Sequence, residues 1–134
     1  MTKDPSNPGG YRPDDPRYGL SGQALQDYYL SQPAQFFIRS YYKPDSLHLR
    51  EQAMETHLAH LRVHADKIHF AGPLLSDDGA TPIGTMCIIE MPDRAAAEAY
   101  VAGDGFAQAG MLGRVTAQMG PFDLLWAFPA VSTA

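Results

Sequence analysis

The sequence predicts an α+β domain: one sheet, with two helices packed on a single face. Three observations point there. Four segments after residue 33 are rich in aromatic and β-branched residues. A helical stretch separates the first segment from the second, and another separates the third from the fourth. Gly/Pro breaks mark most of the joins.

Ala34-Gln-Phe-Phe-Ile-Arg-Ser-Tyr-Tyr42 reads as the first strand. Lys43-Pro-Asp-Ser46 breaks it, and Asp45 or Ser46 is placed to cap a helix over 46–66. In that helix Leu47, Met54, Leu58, Leu61 and Ala65 recur at spacings of seven, four, three and four, an apolar stripe. Lys67-Ile-His-Phe-Ala71 is a short second strand that Gly72-Pro73 should end, since proline cannot donate to a central ladder. A loop by composition follows over 76–82. Ile83 to Met91 is the third strand, and Met86, Cys87, Ile88 and Ile89 make it apolar on both faces. Asp93 caps an alanine-rich helix, which Gly103-Asp104-Gly105 interrupts ahead of one more turn to Gly110. Leu112 to Met119 is the fourth strand, and Phe122 to Phe128 reads as a final one after Gly120-Pro121.

The order is β-α-β-β-α-β, the ferredoxin-like pattern with an extra C-terminal strand. Two helices cover one sheet face only, yet the strands are apolar on both. A second copy of the sheet would cover the other face, closing a dimeric α+β barrel. The alternative cover is the N-terminal segment. This extension spans residues 1–33 and precedes a domain over 34–130. It holds Pro5, Pro8, Pro13, Pro16, Gly9, Gly10 and Gly19, and reads as a loosely docked or disordered tail. Tyr11 and Tyr18 leave open a second use, wrapping a partner subunit. Ser21 is placed to cap a short helix over 22–31, and Pro33 lies beyond its end.

The totals exclude several function classes. A chain of 134 residues suits one core. A net charge of -5 argues against binding a nucleic-acid backbone. The lone Cys87 excludes an internal disulfide and a multi-cysteine metal site. The polar start has no signal-peptide core, and no apolar run approaches the roughly 20 residues that cross a bilayer. A soluble cytoplasmic protein is the expectation.

Two residues could carry chemistry together. His57 borders the core face of the 46–66 helix, where an imidazole titrating near neutrality can act as general base or acid. Asp104, between two glycines, could reach the far ring nitrogen and fix the tautomer. Spacing alone leaves the blander readings open: His57 bonded to a carbonyl, and Asp104 capping the 105–110 turn. His57, His60 and His64 share a helix face and invite a metal test, but nothing on that helix completes a ligand set. Cys87 in an apolar strand reads as a buried, inert thiol. The glycines at 103, 105 and 110 do not follow a strand, so they are not a dinucleotide loop.

Taken in order, several short motifs resemble the YCII-related (YciI-like) proteins. They are Glu55-Thr-His57-Leu-Ala-His60-Leu61, Phe70-Ala-Gly-Pro-Leu-Leu75, Gly84 with the apolar strand to Glu90, Asp104-Gly-Phe106 and Ala109-Gly110. The match covers roughly Phe36 to Phe128. The resemblance implies a dimeric α+β barrel and a His–Asp site, which by motif falls on His57 and Asp104. It also implies metal-free lyase-, isomerase- or dehydrohalogenase-like chemistry. Gly105 stands where the family usually has proline, so the Asp104 loop should be less rigid. The proline-rich start is not part of the pattern.

The expected function is therefore a small cofactor-independent enzyme acting on a cyclic or aromatic molecule. His57 and Asp104 are its catalytic pair; Gly72, Pro73 and Phe106 are its substrate-binding positions, with backbone amides near Gly72 facing developing negative charge. The expected partners are a small-molecule ligand and a second copy, with no metal. The other reading is a non-catalytic binding or accessory protein on the same barrel, and a weaker third is a metal-binding module.

Overall fold

The computed structural model describes residues 4–122, which fall into two compact units. One spans Pro33–Gly120; the other contains the stretch up to Gln32.

In the larger unit the strands are β1 (Gln35–Tyr42), β2 (Ile68–Leu75), β3 (Pro82–Glu90) and β4 (Leu112–Gly120). They form one sheet in the order β2-β3-β1-β4, every neighbour antiparallel. Helix α2 (Arg50–Val63) joins β1 to β2, and α3 (Arg94–Ala102) with the short α4 (Gly105–Gln108) joins β3 to β4. This is the expected ferredoxin-like α+β arrangement. The expected last strand over 122–128 falls, apart from Phe122, outside the described residues, as does a domain limit at 130.

Alternation along the strands sorts the two faces. Phe36, Ile38 and Ser40 of β1 are buried, as are Cys87 and Ile89 of β3. Register puts Ile38 opposite Cys87 and Phe36 opposite Ile89, so these side chains share a face. They pack with Met91 and with Ala97 and Tyr100 of α3 as the main core. Phe37, Tyr41, Met86, Ile88 and Phe70 fall on the opposite face by the same register. A second core joins Ala53 of α2, Phe106 of α4 and Met111.

Several local expectations fare differently. Asp93 is extended and its side chain accepts the Ala96 N–H at 2.8 Å, the expected cap of α3. Ser21 precedes α1 (Gly22–Ser31) but its side chain makes no cap bond. The long helix over 46–66 is split: a 3-10 turn (Leu47–Leu49) leads into α2. Neither candidate caps it. Asp45 takes a left-handed φ of 62°, and the Ser46 hydroxyl donates back to the Lys43 carbonyl at 2.7 Å.

Gly72 and Pro73 do not end β2, which runs through both to Leu75. The reason is position. β2 is an edge strand with two register shifts, and proline is tolerated at an edge. The apolar stripe of α2 also turns out differently. Its buried residues are Ala53 and His57, while Leu58 is 38% exposed and Leu47, in the preceding turn, 43%. Met54 packs against the second core, and Met54, Leu58 and Leu61 together line a cavity.

The N-terminal stretch, expected as a loose tail, is tied down locally. The Asn7 amide donates to the Tyr11 carbonyl at 2.7 Å and accepts the Gly19 N–H at 3.0 Å. The buried Arg17 grips Asp15 with two hydrogen bonds, 2.9 and 2.6 Å, and its guanidinium stands 4.5 Å from the Tyr11 ring centroid. Asp15's carboxyl is held below the usual carboxylate range, chiefly by those bonds. Among the described residues no helix is long and apolar enough to cross a membrane.

Candidate active site

α2 and α4 meet at unusually close range because Gly105 has no side chain. A Cβ there would stand 2.5 Å from the His57 backbone nitrogen and 2.9 Å from the Ala53 carbonyl oxygen. Gly105 is buried and its φ is not positive, so it serves close approach.

That approach sets Asp104 against His57. The Nδ1 to Oδ1 distance is 2.5 Å, and both residues are buried. A carboxylate only accepts, so Nδ1 carries the proton and Nε2 holds the lone pair. Among the described residues nothing bonds Nε2, which keeps some contact with solvent. Asp104 has the extended backbone of an N-cap before α4, yet its side chain makes no cap bond. Both blander readings are thereby set aside, since His57 meets a carboxylate and Asp104 spends its charge on a ring.

Phe106 fixes the plane of that ring. Its own ring lies 4.0 Å from the imidazole at 17°, and Tyr42 meets it edge-on at 5.5 Å. Beside this stack is a cavity of about 250 Å³. Its polar wall is His57, Tyr42, Arg50 and Thr85; its apolar wall includes Met54, Leu61, Pro73 and Phe106. Of the residues named from sequence, His57, Gly72, Pro73 and Phe106 all line it, and Asp104 lies behind His57. Gly72 sits in the β2–β3 ladder opposite Met86, where its carbonyl accepts from the Thr85 hydroxyl at 3.2 Å. Pro73 has no N–H to offer.

Two cavity residues were not picked out from sequence. Arg50 Nε donates to the Tyr42 hydroxyl at 3.1 Å. The available signal was spacing, since Arg50 precedes His57 by seven residues, two helical turns on one face. Tyr42 ends β1 and gave no such signal.

Behind the pair, Asp104, Tyr100, Cys87 and Ser40 line a smaller inner cavity. Burial pushes the Cys87 thiol up to about 11, so it stays a protonated thiol at neutral pH. The Tyr100 hydroxyl is raised too, by burial first and then by nearby Cys87 and Asp104. The other histidines of α2 and its C-cap serve the fold. His60 Nε2–H donates to the Tyr100 carbonyl at 2.7 Å, and His64 Nδ1–H donates to the His60 carbonyl at 3.0 Å. Among the described residues no three His, Cys, Asp or Glu side chains converge where an ion could sit.

These features can be set beside known proteins. The YCII-related domain matches residues 34–117, and the chain belongs to that family. A similar solved structure is 5-chloro-2-hydroxyhydroquinone dehydrochlorinase from Burkholderia phenoliruptrix, in complex with 2,5-dihydroxybenzoquinone. It is 27% identical, with a TM-score of 0.59 over 63% of this chain and 90% of that one. No protein of curated function matches the chain. The motif resemblance and the ferredoxin-like α+β order of the four described strands are both borne out.

Proposed function

We propose that this protein is a cofactor-independent lyase-type enzyme for a small ring compound, with His57 and Asp104 as its acid–base pair. The observation that carries this reading is the 2.5 Å His57–Asp104 contact beside the cavity. His57 Nε2 takes a proton from a ring hydroxyl or an activated C–H. The electron pair moves into the ring and a leaving group departs with its own pair, so that the acid HX is lost and no redox partner is needed. Asp104 stabilises the imidazolium formed. Phe106, Pro73 and Gly72 form the wall on which the ring rests.

A halogenated ring substrate is supported by the dehydrochlorinase likeness, at 27% identity. The apolar sheet face with Phe70 and Ile88 supports a homodimer as the working form. One free, buried thiol fits the cytosol as the compartment. The test is a panel of halogenated hydroxyhydroquinones followed by halide release. His57→Ala should lower kcat by about 10²- to 10⁴-fold with the fold intact. Undiminished turnover by that variant would sink the reading. Ligand binding without turnover by the unmutated protein would favour an accessory binding role.

A further inference from the structure

Arg50 lines the cavity, yet the acid–base pair gives it no task. It shares a helix face with His57, and its guanidinium carbon stands 5.9 Å from the centroid of the Phe106 ring on which His57 stacks. Its Nε is committed to the Tyr42 hydroxyl. This single bond aims the fork, because a guanidinium is planar and its remaining N–H groups follow from the fixed edge. Those remaining donors have no carboxylate within ion-pair distance among the described residues. Glu51, the next residue, does not line this cavity; it lines a second one with Leu47 and Pro82, which Arg50 also borders. No Asp or Glu lines the cavity beside His57.

A half-buried guanidinium whose spare donors border a cavity is placed to meet an anion there with charge-assisted hydrogen bonds. The rest of the wall dictates the remainder of that anion. Met54, Leu61, Pro73 and Phe106 suit a flat, apolar body. We propose that Arg50 is the anion-binding residue of this cavity, and that its ligand is a planar ring bearing an ionised oxygen. The oxygen sits on the guanidinium and the reacting hydrogen faces His57 Nε2. Electron density pushed into the ring on proton removal then flows toward a cation instead of toward hydrocarbon. This rests on the acid–base reading of His57 for its chemistry, but not for its binding.

The test is calorimetric titration at neutral pH with three probes: 2,5-dihydroxybenzoquinone as a ring oxyanion, benzoate as a ring carboxylate, and hydroquinone as a neutral ring. The unmutated protein should bind at least one anionic ring better than hydroquinone; which one tells phenolate from carboxylate. Arg50→Met should weaken that anion by about tenfold or more, and change hydroquinone by less than about twofold. Arg50→Lys should retain part of the preference. Tyr42→Phe, which leaves the charge but frees the fork, should lose part of it, and serves if Arg50→Met fails to fold. Unchanged anion affinity in Arg50→Met overturns the proposal, as does a preference for hydroquinone or no binding of any ring. His57→Ala separates the two claims: turnover surviving in that variant sinks the acid–base reading alone, while an anion preference independent of Arg50 sinks this one alone.

Discussion

Replacing Gly105 by alanine tests whether the α2–α4 contact builds the site. The added Cβ would lie 2.5 Å from the His57 nitrogen and 2.9 Å from both the Ala53 oxygen and the Thr56 carbonyl carbon. Ordinary non-bonded separations are about 3.5–4.0 Å, so α4 must retreat by on the order of 1 Å. No rotamer relieves this, because all three obstructing atoms are helix backbone. Asp104 is the adjacent residue and moves with α4. A retreat of that size stretches the 2.5 Å His57–Asp104 contact to a distance at which it no longer holds the tautomer. Overpacking costs about 1–3 kcal/mol, which for a domain of this size lowers Tm by about 4 °C or more. A 1 Å misplacement of a catalytic group costs about 10²-fold in rate. Thermal melts and halide-release rates read the two effects separately. A variant within about 1 °C of the unmutated Tm, with unchanged kcat/KM, would refute the argument.

Asp104→Asn keeps the shape of the pair and removes its charge. Its amide can donate to the imidazole and so favour the wrong tautomer; kcat should fall by at least about 10²-fold, and a smaller fall would demote Asp104 to a spacer. Cys87 makes a pH prediction. Its folded value of about 11 lies above the ordinary 9.0, so between these values the unfolded chain has lost the proton while the folded one keeps it. Stability therefore declines as pH rises through that window, by up to about 2–3 kcal/mol from this group. Raised Tyr100 acts in the same direction from pH 10.0 upward. Cys87→Ala, compared by urea melts across the window, should show a shallower decline; an identical slope would mean the thiol is not desolvated.

Strand order was legible because each strand is dense in β-formers and each break carries glycine or proline. The exception shows what local sequence omits. Gly72-Pro73 looks like a terminus, and only knowledge that β2 lies at an edge makes proline acceptable inside it. The α2 stripe misled for a related reason. Periodicity shows that Met54, Leu58 and Leu61 share a face but not whether that face meets a core or a cavity. The site was half legible. Motif resemblance located His57 and Asp104, whereas the contact depends on Gly105 approaching α2, which no spacing rule encodes. Arg50 was hidden because an arginine on an amphipathic helix ordinarily reads as a solvated charge. Its significance comes from Tyr42, a residue of another element.

Three histidines in and just after one helix, His57, His60 and the C-cap His64, illustrate how a partner sets chemistry. The residue type and the helix are shared, so what differs is the acceptor each ring meets. His57 donates its Nδ1–H to a carboxylate and so presents its Nε2 lone pair beside a ligand-sized cavity. His60 gives its Nε2 proton to the Tyr100 carbonyl, where Gly103 leaves it room, since a Cβ there would come within 2.9 Å of its ring. His64 gives its Nδ1 proton to its own helix. Of the three, only His57 faces a group whose negative charge can stabilise an imidazolium. Opposite neutral tautomers at His57 and His60 should therefore be visible in long-range ¹⁵N–¹H correlation spectra at slightly alkaline pH. Finding His57 as the Nε2–H form would mean that its lone pair faces Asp104, an arrangement that repels. In that case the contact could not hold a base, and the acid–base reading would fail on geometry before any substrate was tried.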